Sequence, residues 1–511
     1  MAKVLFLQDV WIEYYGVMQL SSLLKKHGHD TDILFASNFD STEEIKKIKP
    51  DLIAYSCMTI QWNWLKKIST YLKENGIKTP QLVGGIHASM YPEMTINHDG
   101  IDIVCKGEGD YPMLDLCNAI DQKTDYSSIK NLWVKKGENI AKNSVRPKLS
   151  SDELTALPFP DRNLYSKYKY FKNYPFVIFV GSRGCPFKCS FCEVPLVGSL
   201  YTEHAQKSTI YQKVDSFIDE IEDVKKKGLL KGKLVMLTDS TFNSHKKWFI
   251  EFCKKYKERI NLPWSCNLRA ELLDEEQAKA MKLANIDNVR FGVESGDEEI
   301  RLTVLNKGRL PDEKIYNCAR LLKKYKIPFQ TFNMFALPTE TYEQAWKTIK
   351  LNQKIKPDTV EMSILQLFPS VGVTNFALSK GLFDEKDFAM LEKPPYNHHL
   401  SLLTLHPDRN KDIHKICNLQ KFAIIVLRFP FLEPLVRQLV KLPYNRFYGW
   451  FYLACQAWTW KKWSSKATIR RMLYDGLLNY QALFGENQTK HGIIIKLSRF
   501  LQRRHRRDVA H

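Results

Sequence analysis

Long apolar runs are missing from this chain of 511 residues. The uncharged stretch FYGWFYLACQAWTW, residues 447–460, is bounded by Arg446 and Lys461. A membrane-spanning helix needs about 20 apolar residues, so this stretch is too short to cross a bilayer. The N-terminus, MAKVLFLQDVWIEYY, also lacks the charged segment, apolar core and cleavage site of a signal peptide. We therefore expect a cytoplasmic protein.

Low-complexity tracts and internal repeats are absent as well. No Gly/Ser-rich or Pro-rich tract stands out, and no repeat of about 20 to 50 residues. Hydrophobic residues make up 44% of the chain and charged residues 26%, which is typical of globular proteins. At about 100 to 200 residues per domain, the length predicts three domains.

Cysteine is scarce. The 11 cysteines are unevenly spaced, which excludes a disulfide framework in a chain of this size. Three of them, Cys185, Cys189 and Cys192, lie close together in GSRGCPFKCSFCEVP, residues 181–195. In a reducing compartment this set is a candidate metal or redox site. The other eight are expected to be small buried hydrophobic residues.

Acidic residues are few in the last fifth of the chain. Residues 411–511 contain 19 Lys and Arg against 5 Asp and Glu, and they hold most of the net charge of +20. The preceding residues are close to charge balance. The composition therefore indicates no nucleic-acid-binding surface over the body of the protein.

Short apolar runs alternate with amphipathic stretches over residues 1–125. This rhythm predicts an α/β fold with a doubly wound, Rossmann-like parallel sheet, whose ligands bind outside the carboxyl ends of the strands. Glycine at such an end lets a bulky ligand approach the backbone, and hydroxyl groups bond its polar edge. The candidate ligand contacts are Ser56 and Thr59 after the third predicted strand, Gly84, Gly85 and His87 after the fourth, and Gly107 and Glu108 after the fifth.

The segments YSCMT, LVGGIHASMYPE and VCKGEGDYP, in this order, resemble the cobalamin-binding domain of cobalamin-dependent radical S-adenosylmethionine (SAM) enzymes. Many cobalamin domains carry Asp-x-His-x-x-Gly in the first loop, whose His ligates cobalt. Here Trp11 of QDVWIEYYG stands at that position. An indole N–H is only a donor, so the resemblance implies that the lower face of cobalamin is left to water or to nothing. His87 is expected to pack or hydrogen-bond near the corrin. The alternative is a flavodoxin-like domain that binds nothing, or another nucleotide.

Residues 126–175 are interpreted as a linker. The stretch KNLWVKKGENIAKN predicts a small β-hairpin that turns at Gly137, and LPFPDRNLY is broken by prolines. Both features are typical of a boundary between domains.

Six strand–helix units are predicted over residues 176–385, beginning with the strand PFVIFVG. Six such units predict a partial (β/α)6 barrel of the TIM type, with its active site at the carboxyl ends of the strands. Because PFVIFVG runs directly into the three cysteines, we expect them on the loop after the first barrel strand.

The spacing C-x3-C-x2-C, with Phe191 before the third cysteine, resembles the motif of the radical SAM family. Three thiolates leave one iron of a 4Fe-4S cubane open. The resemblance implies that Cys185, Cys189 and Cys192 ligate the cluster, and that SAM chelates the open iron and is cleaved to methionine and a 5'-deoxyadenosyl radical. Zinc is the alternative, but it normally takes four protein ligands, and only His204 lies nearby in the sequence.

Polar residues at the other barrel strand ends match the family's Asp-x-x-Phe, Arg and Glu-Ser-Gly patterns. The resemblance implies Asp239 for the methionyl ammonium of SAM, Arg269 for its carboxylate, and Glu294 with Ser295 for the ribose or the ammonium. Each of these residues alone is equally typical of a surface ion pair or a helix cap. FALPTET (335–341) lacks both glycines of the family's Gly-Leu-Pro-Gly-Glu-Thr turn, and FPSVG (368–372) departs from its Pro-Gly-Thr.

Residues 386–511 carry no metal or nucleotide motif, and they predict a mainly helical, basic and aromatic region. The stretch GIIIKLSRFLQRRHRR (492–507) places Ile493, Leu497, Phe500 and Leu501 on one helical face, with Lys and Arg elsewhere. This composition is typical of a basic helix on the inner face of an anionic membrane. A core helix followed by a solvated tail fits the same pattern.

The resemblance as a whole implies an enzyme that uses a 4Fe-4S cluster, SAM and cobalamin, and that takes electrons from a flavodoxin or ferredoxin. Its expected reaction is methylation of an unactivated carbon of a small molecule. A contact with the membrane would fit a lipophilic substrate. A second interpretation is oxidative cyclisation or hydroxylation of a tetrapyrrole-like substrate. A third, of another class, is a non-catalytic cobalamin sensor with a structural metal site.

Overall fold

The computed structural model describes residues 1–36, 41–201, 208–308, 310–391, 393, 396 and 399–463, and beyond these residues 474, 476, 477, 497, 498 and 501. The described chain forms two compact units. The first comprises residues 1–174, 196–210 and 475–511, and the second comprises residues 175–195 and 211–474, each within the described ranges.

The first unit is built around a seven-stranded sheet in the order β2-β1-β3-β4-β5-β6-β7. Its strands are β1 (Lys3–Gln8), β2 (Asp30–Phe35), β3 (Leu52–Ser56), β4 (Gln81–Gly84), β5 (Ile103–Cys105), β6 (Leu132–Lys136) and β7 (Asn139–Lys142). The first five are parallel and the last two antiparallel. This parallel order is flavodoxin-like, with its switch point between β1 and β3, and the predicted doubly wound fold is confirmed.

Helices of the first unit connect these strands. They are α1 (Tyr15–Lys26), α2 (Thr42–Ile48), α3 (Trp62–Glu74), α4 (Ile86–Met90), α5 (Pro92–Ile96), α6 (Asp110–Gln122), α7 (Ser151–Ala156), α8 (Asn163–Ser166) and α9 (Lys169–Lys172). Helix α3 illustrates their packing. Its Leu65, Ile68 and Leu72 recur at helical spacing and are fully buried in one cluster with Leu5 and Ile53 of the sheet.

Residues 126–174 belong to the first unit rather than to a linker. The predicted hairpin is present, with Gly137 at a φ of +60° between β6 and β7. Strand β6, however, pairs with β5 at the edge of the sheet, and its Trp133 is buried. Alternation alone does not reveal which sheet a hairpin joins, because the pairing partner is distant in sequence.

The second unit contains the six-stranded parallel sheet of the predicted partial barrel, in the order β8-β11-β12-β13-β14-β15. Its strands in chain order are β8 (Phe176–Phe179), β11 (Leu234–Leu237), β12 (Trp264–Leu268), β13 (Ile286–Glu294), β14 (Phe329–Phe335) and β15 (Thr359–Ile364), with short strands β9 (Ser182–Gly184) and β10 (Thr209–Tyr211) after β8. Each predicted barrel strand is present, and the barrel-type fold is confirmed.

Helices of this part of the chain follow the strands in order. They are α10 (Val194–Ser199), α11 (Val214–Lys226), α12 (Lys246–Arg259), α13 (Glu275–Leu283), α14 (Glu298–Thr303), α15 (Asp312–Lys324), α16 (Tyr342–Ile355), α17 (Gly372–Ser379), α18 (Ile413–Arg428), α19 (Glu433–Leu439) and α20 (Arg446–Trp463). Capping residues mark several starts. Asp274 and Thr341 each accept a hydrogen bond from the backbone three residues on, at α13 and α16.

Helices α18 and α20 pack onto the barrel sheet. Gln420 and Tyr452 both donate hydrogen bonds to the carbonyl of Met362 in β15, the Tyr452 bond at 2.6 Å. No helix in the described part of the chain is long and apolar enough to span a membrane. Apart from residues 497, 498 and 501, the predicted basic helix at 492–507 lies outside the described residues.

Two turns keep a glycine-like backbone although their glycines are missing from the sequence. Ala336 and Thr339 of FALPTET have φ values of +62° and +64°, and Ser370 of FPSVG has +62°. A side chain in this left-handed region costs about 1–2 kcal/mol per residue. The departures from the family pattern therefore change side chains but not the course of the chain.

Glycine at position 339 is expected to stabilise the second unit. Thr339 is β-branched and left-handed, so Thr339→Gly relieves strain of about 1–2 kcal/mol, partly offset by the entropy of a freer unfolded chain. We expect a net gain of about 0.5–1 kcal/mol in the free energy of unfolding, measured with urea. Thr341→Gly is the matched control. With a φ of −84°, Thr341 caps α16, so its loss should lower stability. A destabilised Thr339→Gly variant would contradict the strain argument.

Candidate functional site

The three clustered cysteines lie on the loop that follows β9, beyond the end of the first barrel strand. All three are free thiols, with Cys189 buried and Cys185 and Cys192 half-buried. Burial raises the pKa of the Cys192 thiol to about 11, and the neighbouring Cys189 and Cys185 raise it further. Thiols this close do not ionise together without a compensating positive charge. The donor set thus fits a thiolate-bound iron cluster with one open iron.

Arg269 supplies a positive charge to this loop. Its guanidinium donates a hydrogen bond to Cys189 Sγ at 3.1 Å and another from Nε to Glu271 Oε1 at 2.8 Å. It also lies over the ring of Phe187, 4.0 Å from the ring centroid. Arg269 was predicted from sequence as a SAM contact, and the structure places it against a cluster cysteine. Phe187, between the first two cysteines, and Glu271, two residues after Arg269, were not predicted.

Asp239 holds the chain just ahead of the cysteines. Its carboxylate accepts hydrogen bonds from Ser182 Oγ at 2.5 Å and from the Gly181 N–H at 3.2 Å. Burial raises its pKa to about 6, although the bond from Ser182 acts in the opposite direction. Each oxygen accepts one of these bonds, so Asp239 positions the start of the cysteine loop, and its contact with SAM stays a prediction. Nearby Thr241, also missed, has its Oγ1 3.5 Å from Cys185 Sγ.

Glu294 and Ser295, at the end of β13, differ in their burial and in their hydrogen-bond partners. Glu294, with a φ of +68°, pairs with the buried Lys307 at 3.1 Å. Ser295 is fully buried, and its hydroxyl accepts the Asp297 N–H at 3.2 Å at the start of α14. Ser295 is therefore not accessible to SAM. Glu294 remains a candidate SAM contact. Its partner Lys307 is 13 residues away in sequence and could not be recognised from the motif.

The barrel sheet has one closed and one open face. Val235, Cys266 and Val289 point into a core that the helices cover. The other face carries half-buried residues from five of the strands: Ile178, Asn267, Arg290, Phe332 and Glu361. Side chains alternate between the faces of a strand, so these residues share one surface. That surface combines apolar side chains with one arginine and one glutamate.

The carboxyl edge of the first unit's sheet is open. Most of the predicted residues there are half-buried: Ser56, Thr59, Gly84, Gly85, Gly107 and Glu108. Beside the switch point between β1 and β3, the apolar side chains of Ile12, Met58 and Ile60 are 38%, 44% and 46% exposed. Exposed apolar side chains next to open glycine backbone suit a large flat group with an apolar face. The edge thus fits cobalamin.

Two glycines bring the loops of this edge close together. Gly85 has a φ of +90°, and a Cβ there would lie 2.9 Å from the backbone N and O of Cys57. Gly107, with a φ of +76°, donates its N–H to Ser89 Oγ at 2.9 Å. The next N–H, of Glu108, donates to the hydroxyl of Tyr201 at 2.8 Å. These contacts need glycine at both positions.

Trp11 and His87 are packing residues. Trp11 is fully buried and stacks on Phe35 with ring centroids 4.1 Å apart. His87 is 1% exposed and stacks on Trp62 at 4.6 Å, and burial lowers its pKa to about 3. Both side chains are enclosed by protein, so both leave the set of expected cobalamin contacts. That neither residue ligates cobalt stays a prediction.

A buried polar network at the switch point was missed by sequence analysis. Gln61 donates a hydrogen bond to Asp9 and another to the hydroxyl of Tyr14 at 2.9 Å. Burial raises the pKa of Asp9 to about 6. Asp9 follows β1 directly, which is a position where ligand-binding side chains occur in this fold. Asp9 of QDVWIEYYG was the one sequence feature from which this network could have been predicted.

Two families match the chain. Residues 12–116 match the B12 binding domain, and residues 179–351 match the radical SAM superfamily. The chain is 26% identical to an uncharacterised methyltransferase of Pyrococcus horikoshii, over 72% of this chain and 79% of the relative. It is 27% identical to an anaerobic magnesium-protoporphyrin IX monomethyl ester cyclase of Rubrivivax gelatinosus, over 70% of this chain and 64% of the cyclase.

A solved structure shares the fold. It is the radical SAM methyltransferase TsrM of Kitasatospora setae with cobalamin and a [4Fe-4S] cluster bound. The TM-score is 0.61 at 19% identity, covering 75% of this chain and 76% of TsrM.

Proposed function

The chain belongs to the cobalamin-dependent radical SAM enzymes, and on this premise we propose that it methylates an unactivated carbon of a small molecule. Its cofactors are a 4Fe-4S cluster, SAM and cobalamin. The observation that carries the proposal is the guanidinium of Arg269 against Cys189, in a cysteine loop at the end of the first barrel strand. The methyl outcome is supported by the likeness to the uncharacterised methyltransferase of Pyrococcus horikoshii.

When bound, these cofactors supply a radical that removes a hydrogen atom from substrate and a methyl group that replaces it. The chain's own residues prepare the site. Arg269 donates a hydrogen bond to Cys189 Sγ and is itself oriented by Glu271. Asp239 fixes Gly181 and Ser182 and so sets the entry of the cysteine loop. Glu294 is the remaining strand-end residue that we propose to bind SAM.

The open face of the barrel sheet is the proposed substrate surface. Arg290 donates to the carbonyl of Leu237 at 3.2 Å, and burial lowers its pKa. Burial raises the pKa of Glu361, and the charge of Glu294 adds to this. A half-buried arginine and a half-buried glutamate near Ile178 and Phe332 suit a substrate with an apolar body and at least one polar group.

The products of SAM distinguish the possible reactions. The protein is purified without oxygen, reconstituted with iron, sulfide and cobalamin, and given SAM, a reductant and candidate tetrapyrroles or lipids. A methylase should yield 5'-deoxyadenosine and S-adenosylhomocysteine in comparable amounts, because a second SAM renews the methyl group. A cyclase, the reaction of the Rubrivivax relative, should yield the first without matching amounts of the second, and this result would overturn methylation.

A variant of the open face sharpens this test. Glu361→Gln should lower substrate-dependent product formation by at least about tenfold, because it removes a buried charge from the proposed substrate surface. SAM cleavage without substrate should not change. Asp287→Asn, an exposed position on β13, is the control. Unaltered methylation by Glu361→Gln would exclude Glu361 from substrate binding.

The match to the radical SAM superfamily favours an enzyme over the non-catalytic sensor. The zinc alternative depended on His204, which lies outside the described residues. A flavodoxin or ferredoxin as electron donor is part of the proposal.

A further inference from the structure

Helix α20 turns apolar side chains to the surface. Phe447 is 71% exposed, Trp450 52% and Trp458 50%. Together with Ala454 they recur at three- and four-residue spacing and form one face of the helix, which we name the aromatic stripe. The turn before the helix adds Leu442, which is also exposed. Single exposed apolar residues are ordinary, but three large aromatic ones on one face of a helix mark a candidate interaction surface.

The opposite side of the same helix packs on the protein with both polar and apolar residues. Gln456 and Thr459 are buried, and the Thr459 hydroxyl donates to the Gln456 carbonyl at 2.8 Å. Tyr448 is also buried, and it donates to the Leu439 carbonyl at 3.0 Å. The tryptophans of α20 whose side chains are described, Trp450 and Trp458, both lie on the exposed side. The aromatic stripe is therefore available to an apolar partner outside the unit.

The charge of the sequence around the stripe indicates what kind of partner the stripe contacts. Residues 434–474 contain no Asp or Glu at all. The same stretch contains the basic residues Arg437, Lys441, Arg446, Lys461, Lys462, Lys466, Arg470 and Arg471. Trp and Phe between flanking Lys and Arg are typical of surfaces that enter the headgroup layer of an anionic bilayer. Protein–protein interfaces are depleted in lysine, and four of these eight basic residues are lysines, which favours the membrane.

We infer that the aromatic stripe of α20 docks the protein on the surface of an anionic membrane. Phe447 and Trp450 enter the headgroup layer, and the positive charge of the same stretch of sequence supplies the attraction to the lipid phosphates. This inference goes beyond the proposed reaction and does not depend on it. It applies to the protein without any cofactor, and it concerns a surface distinct from the cysteine loop.

Vesicle binding tests the inference directly. The full chain is mixed with vesicles of phosphatidylcholine alone or with about 30% phosphatidylglycerol, and bound protein is measured by flotation. We expect binding to the anionic vesicles, weakened by salt, and little to the neutral ones. Phe447→Ser with Trp450→Ser should lower the partition coefficient at least about tenfold, because two exposed aromatic side chains are lost.

Controls separate docking from misfolding and from other partners. Phe159→Ser with Leu283→Ser removes two exposed apolar residues elsewhere and should leave binding unchanged. Trp450→Phe should keep binding but reduce the quenching of tryptophan fluorescence by brominated acyl chains. Three results would overturn the inference: no binding of the natural protein, binding that survives loss of Phe447 and Trp450, or a dimer in solution that the stripe variant converts to monomer.

Discussion

Alanine at Cys185, Cys189 or Cys192 is expected to leave a folded protein that no longer retains its iron–sulfur cluster. The thiolates are the cluster's protein ligands, and three is the minimum that holds a cubane with one open iron. Iron and sulfide after anaerobic reconstitution should fall from about four per chain to under one. The 5'-deoxyadenosine formed from SAM should fall to background. Cys185 and Cys192 are half-buried, so these two changes should cost little stability.

A buried cysteine provides the matched control for this loss. Cys318 of α15 is fully buried away from the loop, so Cys318→Ala should cost about 1–2 kcal/mol of stability and no iron. Far-ultraviolet circular dichroism confirms that each variant is folded. Retention of a full cluster by any one of the three loop variants would remove that cysteine from the ligand set.

Alanine at Gly85 is expected to damage the cobalamin edge of the first unit. The new Cβ would lie 2.9 Å from both the backbone N and O of Cys57, and neither atom is on a flexible side chain. Left-handed strain of about 1–2 kcal/mol adds to an overpacking cost of about 1–3 kcal/mol. Displacing the ends of β3 and β4 should also weaken cobalamin binding at least about tenfold. Urea unfolding measures the first effect, and equilibrium dialysis the second.

Gly28 provides the matched control for the change at Gly85. It has a φ of +84°, close to that of Gly85, but a Cβ there meets nothing within 4 Å. Gly28→Ala should therefore show the left-handed strain alone, with cobalamin binding intact. Equal effects of the two changes on cobalamin binding would mean that the Gly85 contact does not shape the ligand edge.

The predicted site and the observed one differ in a consistent way. Cysteine spacing and strand ends were recognised from residues near one another in sequence. Asp239, Arg269 and Ser295 were also located correctly at strand ends, but their partners Ser182, Cys189 and Asp297 decide what each side chain does. Two of these partners come from another strand or loop. A motif shows that a side chain is present at an edge, not which donor or acceptor reaches it first.

Local patterns determined the strand and helix sequence, the two ligand edges and the cysteine loop, because periodicity and turn residues act over a few positions. Only the tertiary structure decided that the hairpin of residues 132–142 extends the first sheet, and that Trp11 stacks on Phe35. Only the tertiary structure, too, turned Phe447 and Trp450 outward from α20. Each of these outcomes depends on contacts between distant segments, which compete for the same buried space and are not encoded in any single stretch of chain.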